Sequence, residues 1–362
     1  MKVLTVIPEL GVGGAEFVAT ALATATAAAG DDACVASRGG FRVEHLRAAG
    51  VEHLPLPLAG RRPVGLLRSV RRLRATGTPD LVHAHNPKAA ALSRLAFGSR
   101  VPVLVTLHGV ADDDLDRAVR ILRWAADHVV AVSPHLEEQL LGRGFPASRL
   151  EVVVNGVAPA PPRPRDQARA DLGIPASATV VLCPARMVDQ KRHDLLVKAW
   201  ARQDPAALLL LAGGGPNERS IRQLVARHHL EDRVRLLGER RDMSRLLAAS
   251  DLVVLATDWE GLPIAALEAM AAGVPVVASD VPGVRDELGP AARLVEPGSV
   301  PALAAGIAEL LTLPAQRDLL VARGTALVRG RFGLEPMVDR YRDIHLRLTG
   351  SPARVPTIQG AP

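Results

Sequence analysis

The sequence predicts an α/β protein made of two doubly wound parallel-sheet domains that face each other across a cleft. Three observations predict it. Short β-branched and aliphatic runs alternate with longer helical patterns along the whole chain. Those runs are apolar throughout, as strands covered on both faces must be. The series is interrupted once, at 157–166, where proline dominates VAPAPPRPRD and favours extended, linker-like chain.

Taken in order, the predicted strands of the first half are 3–7, 80–84, 102–107, 128–132 and 150–154. Helical spacing marks 15–29, 64–75, 87–97, 114–125 and 134–143 between them. The second half repeats the pattern with strands 179–184, 207–212, 233–237, 251–256 and 274–278, and helices 193–203, 218–229 and 263–272. The expected organisation is a domain over 1–158, a linker at 159–166, a second domain over 167–334 and a Pro/Gly/Ser-rich, frayed tail at 350–362.

Composition narrows the function classes. A chain of 362 residues with 48% hydrophobic residues has ample core for two domains and is no disordered polymer. No apolar run reaches the ~18–20 residues of a membrane span, and MKVLTVIPEL reads as a first strand rather than a signal peptide. Cys34 and Cys183 lie far apart in apolar runs, which excludes a disulfide scaffold and a cysteine zinc site and fits a reducing cytoplasm. The net charge of +6 is mild for this length. Five Phe, three Trp and one Tyr leave no aromatic–basic interleaving, so a nucleic-acid partner is not expected.

In open α/β sheets ligands bind beyond the carboxyl ends of strands, so the residues just after each strand carry the chemistry. After 3–7 comes Gly11-Val12-Gly13-Gly14-Ala15-Glu16, a turn that lets backbone approach a phosphate at a helix start, without the dinucleotide GxGxxG spacing. His83, His85 and Asn86 follow 80–84, and His108-Gly109 follows 102–107. No spaced carboxylate or cysteine completes a metal site with these histidines, and a neutral imidazole hydrogen-bonding a substrate hydroxyl is the better reading. In the second half Arg186 and Lys191 stand five residues apart in a loop and can converge on one dianion. Glu260 lies in the loop after 251–256, and Glu268 falls on the apolar side of a helix that Pro263 opens. An unpaired carboxylate there is costly, and a bidentate hydrogen bond to two sugar hydroxyls accounts for it. Free N–H groups around Leu262 to Ile264 can meet a phosphate.

The GGAE, TLHG, VVVNGV, ARMVDQK, AGGGP and WEGLP…LEAMAAG segments together resemble the retaining glycosyltransferases of family 4, over nearly the whole chain. The resemblance implies the GT-B fold, with helix 335–348 crossing back onto the first domain. It implies that Arg186 and Lys191 hold the diphosphate of a nucleotide-sugar donor, Glu268 the ribose, and Glu260 and His108 the donor sugar. Gly13 and Gly14 would lie under the phosphates and sugar, beside Gly261, Leu262, Pro263 and Ile264. His108, Glu260, Arg186 and Lys191 are thus the expected catalytic set. The implied reaction moves a hexose or N-acetylhexosamine, most simply from a UDP-sugar, to an acceptor hydroxyl with no metal or other cofactor. The Asp112-Asp113-Asp114 spelling stands away from the diphosphate loop and is not read as a metal site. It marks a helix start or, alternatively, an acceptor cleft for a cationic aminocyclitol; a polysaccharide or glycolipid precursor is the other acceptor class. The basic stretch from Arg61-Arg62-Pro63 to Arg74 carries Leu66, Leu67, Val70 and Leu73 as an apolar stripe, which fits a core-packed helix or a peripheral membrane contact. A nucleotide-sugar epimerase and a non-catalytic nucleotide-sugar binder are the rival functions.

Overall fold

The computed structural model describes residues 1–56, 63–159, 161 and 163–351, the side chains of 63 and 64 excepted. Arg61 and Arg62, the middle of the proline-rich stretch and all but the start of the tail lie outside the described residues. The first lobe is a seven-stranded sheet of β1 (Lys2–Val6), β2 (Asp32–Ser37), β3 (Glu52–Pro55), β4 (Leu81–Ala84), β5 (Val103–Leu107), β6 (His128–Ala131) and β7 (Leu150–Val152). The second holds β8 (Val180–Pro184), β9 (Leu208–Ala212), β10 (Val234–Gly238), β11 (Leu252–Leu255), β12 (Val276–Ser279) and β13 (Arg293–Val295). All strand pairs are parallel, in the orders 3-2-1-4-5-6-7 and 10-9-8-11-12-13.

The sequence reading contains neither β2, β3 and β13 nor the helices Val300–Thr312 and Pro314–Arg331. Strand β2 opens on an exposed aspartate, and β3 and β13 are short, half-exposed edges, so none forms a continuous apolar run. Pro263 sits one residue outside its helix, Ile264–Ala271, in extended conformation rather than at the first helical position.

Both sheet orders reverse once, between β1 and β4 and between β8 and β11, and a ligand crevice opens at such a switch point. Buried β4 and β5 bring His83, His85 and His108 to one crevice; β8 and β11 bring the 185–192 and 256–263 loops to the other. The chain passes between lobes twice, side by side. The Val157 N–H donates to Phe332 O (2.8 Å) and the Leu334 N–H returns to Val157 O (3.1 Å). Helix Leu334–Thr349 then packs on the first lobe, where Tyr341 and His345 are buried. Buried Asn155 donates to Leu262 O (3.2 Å) and ties the lobes at the base of the cleft.

Candidate active site

A cavity of about 570 Å³ lies between the lobes, walled by both crevices. On its first-lobe side stand Gly13, Gly14, Glu16, Arg42, His85 and His108; on the other, Arg186, Lys191, Glu260, Leu262 to Ile264 and Glu268. Thus the residues singled out from the sequence for a ligand converge, except His83, which lies behind His85, and Gly261. Gly261 is buried off the cavity wall, and a Cβ there would lie 2.3 Å from His108 O, so a glycine there lets the lobes touch. A hollow of similar size, about 600 Å³, lies between Arg165 and Val274, but it carries no free acid or histidine, and Arg165 is paired with Asp251.

The 185–192 loop is tied down by hydrogen bonds and ion pairs. Gln190 donates through Nε2 to Trp259 O (2.7 Å), and its carbonyl accepts from the Asp258 N–H (3.0 Å) and the Thr257 hydroxyl (3.1 Å). Arg192 is left-handed (φ 38°), a conformation its side chain secures by pairing with Asp194 and Asp258, both at 3.0 Å. This turn delivers Lys191 onto Glu260, whose carboxylate it contacts as a largely buried ion pair. Arg186 differs. It is exposed to the cavity and, among the described residues, its guanidinium makes no ion pair or hydrogen bond; its charge is felt across the cleft by Glu16. One cation is therefore neutralised by the protein and one is free for a ligand.

Glu268 faces the cavity half-buried, and no described residue donates a hydrogen bond to its carboxylate. Burial pushes its carboxyl up to about 7, with the nearby Arg42 guanidinium pulling the other way. The helix it belongs to starts without a side-chain cap, leaving its first amides available to an anion. His108 lies opposite; its Nε2 is 2.9 Å from His85 Nδ1, and burial lowers its pKa to about 4, so it is neutral at physiological pH.

Two site residues escape sequence reading. Glu16 is only 9% exposed; its carboxyl folds over Gly13, where a Cβ would lie 2.0 Å from Oε2, and burial raises its pKa. Gly14 meets Ile264 of the other lobe, 2.9 Å from a would-be Cβ. The two glycines thus have a packing reason nearer than a phosphate. Arg42 donates through Nε to Gly11 O (3.1 Å) and stacks near Phe41 and Phe17. The Glu in GGAE was a visible signal for the first; nothing in the isolated FRV stretch marked the second.

The acidic run behaves as a helix start. Asp112 to Asp114 occupy the exposed first turn of Asp112–Ala125, Asp112 and Asp116 pair with Arg143, and none lines the cavity. A cationic-acceptor cleft built from them therefore has no support. The basic stripe is split: Val70 and Leu73 enter the core, while Leu66 and Leu67 are 45% and 53% exposed. Among the described residues no group of three or more His, Cys, Asp or Glu is placed to hold a metal, and no helix is long and apolar enough to cross a membrane.

Comparison with known proteins agrees with this geometry. Residues 12–160 match Glycosyltransferase Family 4, and residues 164–326 match Glycosyl transferases group 1. The N-acetyl-alpha-D-glucosaminyl L-malate synthase of Bacillus anthracis is 30% identical over 282 residues, 74% of each chain. A D-inositol 3-phosphate glycosyltransferase of Kineococcus radiotolerans is 30% identical over 86% of this chain and 82% of its own. The crystal structure of Anabaena Alr3699/HepE in complex with UDP-glucose superposes with a TM-score of 0.85 at 25% identity, covering 95% of this chain and 99% of that one. With both lobes matched and the two-sheet architecture shared, this chain belongs to the family 4 glycosyltransferases and has the GT-B fold.

Proposed function

We propose that the protein is a retaining hexosyltransferase. It moves a hexose or N-acetylhexosamine from a nucleotide-diphosphate sugar, a UDP-sugar in the first instance, to an acceptor hydroxyl. The observation that carries this is the placement of a free Arg186, a paired Lys191 and an unpartnered Glu268 on one wall of a single cavity, opposite neutral His108. The UDP-glucose held by the HepE structure supports the choice of donor. Arg186, Lys191 and the free amides at Ile264 stabilise the departing diphosphate as preorganised donors, so the charge chemistry needs no metal. Glu268 grips the ribose, and Glu260, released from or sharing Lys191, meets the donor sugar with His108.

Two relatives are named for L-malate and D-inositol 3-phosphate, both hydroxyl-bearing anions, and Arg42 on the first-lobe wall suits such an acceptor better than a cationic one. A saccharide or glycolipid precursor fits the same hydroxyl chemistry. Buried, unpaired Cys34 and Cys183 support a cytoplasmic location.

A thermal-shift panel of nucleotide sugars tests the donor. The cognate donor raises the melting temperature by mass action, at about 2.7 kcal/mol for a concentration 100 times its Kd. The best donor is then offered in chelated buffer with and without acceptor pools. Sugar transfer only with acceptor supports the proposal. Donor conversion without acceptor shows an epimerase, and binding with no turnover shows a non-catalytic binder; either result overturns it.

A peripheral membrane contact is favoured by a separate observation. Three neighbouring helices expose Leu66, Leu67, Leu95 and Trp124 (54% exposed) among Arg68, Arg71, Arg117, Arg120 and Arg123. This face suits an anionic lipid surface. The protein is expected to float with phosphatidylglycerol vesicles at low salt and to release in about 0.5 M salt, where charges are screened within a few ångströms. Failure to float at low salt removes this reading.

A further inference from the structure

Three buried histidines, the half-buried His108 and a buried tyrosine run from the cavity wall to the crossing helix, and the function proposed above uses only His108. His85 Nδ1 lies 2.9 Å from His108 Nε2, with the two rings nearly parallel. His83 stacks on His85 at a centroid separation of 4.5 Å. His83 is fixed in turn through Nε2 to the Thr106 hydroxyl (2.8 Å) and through Nδ1 to His345 Nε2 (3.3 Å). Thr106 donates to the Tyr341 hydroxyl (2.9 Å), and Tyr341 and His345 belong to helix Leu334–Thr349. The ring of His85 is therefore clamped, and its remaining nitrogen, Nε2, is buried with no hydrogen-bond partner among the described residues.

That orphaned nitrogen decides where the protons sit. A neutral His85 carries one N–H. On Nε2 it would be a buried donor without an acceptor, which native proteins avoid more strictly than an unused acceptor. On Nδ1 it is used, donating to His108 Nε2. His108 Nε2 is then the acceptor, and the His108 proton must be on Nδ1. His108 Nδ1 has no partner among the described residues and is not an enclosed atom, so it opens to the cavity.

We propose that His85 is a positioning residue that locks His108 in the Nδ1–H tautomer, so that His108 presents a hydrogen-bond donor, not a base, to the bound sugar. The second half of this statement rests on the reading of His108 as a substrate contact; the tautomer itself does not. Tyr341 and His345 give the crossing helix a part in the same device, because they hold His83 against the outer face of His85.

The test uses the full chain with ¹⁵N-labelled imidazoles and long-range proton–nitrogen correlation, His108 being assigned by its loss in His108→Ala. The wild-type protein is expected to show His108 protonated on Nδ1. His85→Leu is expected to move that proton to Nε2 and to lower kcat by about 10–100-fold, the scale known for removing the orienting partner of a metal-bound histidine. His85→Asn places an amide N–H near the former Nδ1 and is expected to restore most of kcat; His85→Gln reaches only the Nε2 position and is not. Should His85→Leu fail to fold, the Asn and Gln pair decides alone. Wild-type His108 protonated on Nε2, or equal kcat in the Asn and Gln variants, overturns the proposal. Full activity in His108→Ala would instead overturn the substrate-contact reading while leaving the tautomer measurement standing.

Discussion

Replacing Arg186 with alanine is expected to lower kcat by at least ~10²-fold, the scale found when one preorganised donor to a developing anion is lost, with the melting temperature almost unchanged. Both halves follow from its surroundings. Arg186 lines the cavity, makes no ion pair among the described residues and is exposed, so folding gains little from it. Its charge is held in reserve for a ligand. Lys191→Ala is expected to cost a similar factor in kcat for a different reason and with a different side effect. Lys191 is the counter-ion of Glu260, whose side chain is only 9% exposed. Removing one partner of a buried pair leaves the other charge uncompensated, a penalty of about 3–5 kcal/mol where the pair is fully enclosed and less here. Lys191→Ala should therefore lower both turnover and melting temperature, and pairing it with Glu260→Gln should recover the stability but not the rate. Arg186→Lys tests geometry: it keeps the charge but loses the planar fork, and should remain well below wild type. The measurements are steady-state kinetics with the donor found in the thermal panel and thermal melts of each variant. Arg186→Ala within threefold of wild type would remove the free cation from the mechanism.

The fold was legible because burial on both faces forces parallel strands to be apolar throughout. Strands such as Val180–Pro184 and Leu208–Ala212 announce themselves for that reason, and the residues following them define the crevice. Edge strands escape the same logic. Glu52–Pro55 has only one neighbour and a half-exposed face, so its sequence carries no continuous apolar signal. Within the site, residues in contiguous motifs were readable: the Arg-x4-Lys loop and the two glutamates eight apart stand on neighbouring strand ends and meet in space. Arg42 was not, because its importance comes from the β2-to-helix connection folding over the other lobe's Glu268. Gly261 belongs to a motif that points to a ligand, and it also carries a packing constraint, the His108 carbonyl 2.3 Å from its would-be Cβ. A glycine in a functional motif reports close approach, and the sequence does not say of what. The aspartates at 112–114 show the converse, since an acid run has a sufficient cause in the first turn of the helix it begins.

Glu268→Gln is expected to move stability and donor binding in opposite directions. Burial raises the Glu268 carboxyl from the ordinary 4.5 to about 7, so the folded protein holds this proton over a range where the unfolded chain has released it. Between those two values the unfolded state binds fewer protons, and stability attributable to this group falls as pH rises. Above pH 7 the folded protein bears the full cost of a bare carboxylate with only Arg42 nearby. Glutamine removes that cost. The variant should melt on the order of 2–4 °C higher than wild type at pH 8 and at the same temperature as wild type at pH 4, where both side chains are neutral. Donor affinity should respond the other way. A hydrogen bond to a charged group contributes about 1.5–3 kcal/mol, so losing the ionised acceptor weakens nucleotide-sugar binding by roughly 10–100-fold. The wild-type protein supplies an internal control. If the ribose is held by ionised Glu268, the donor must bind more tightly as pH is raised from 6 to 8 and must release protons as it binds in that window, whereas the glutamine variant should bind with no such dependence. Calorimetric titration in two buffers of different ionisation enthalpy reads the proton release directly. Tight binding by Glu268→Gln with an unchanged melting temperature would place the ribose elsewhere in the cavity, because beyond the field of Arg42 a half-buried carboxylate without a hydrogen-bond partner is compensated only by the ligand it receives.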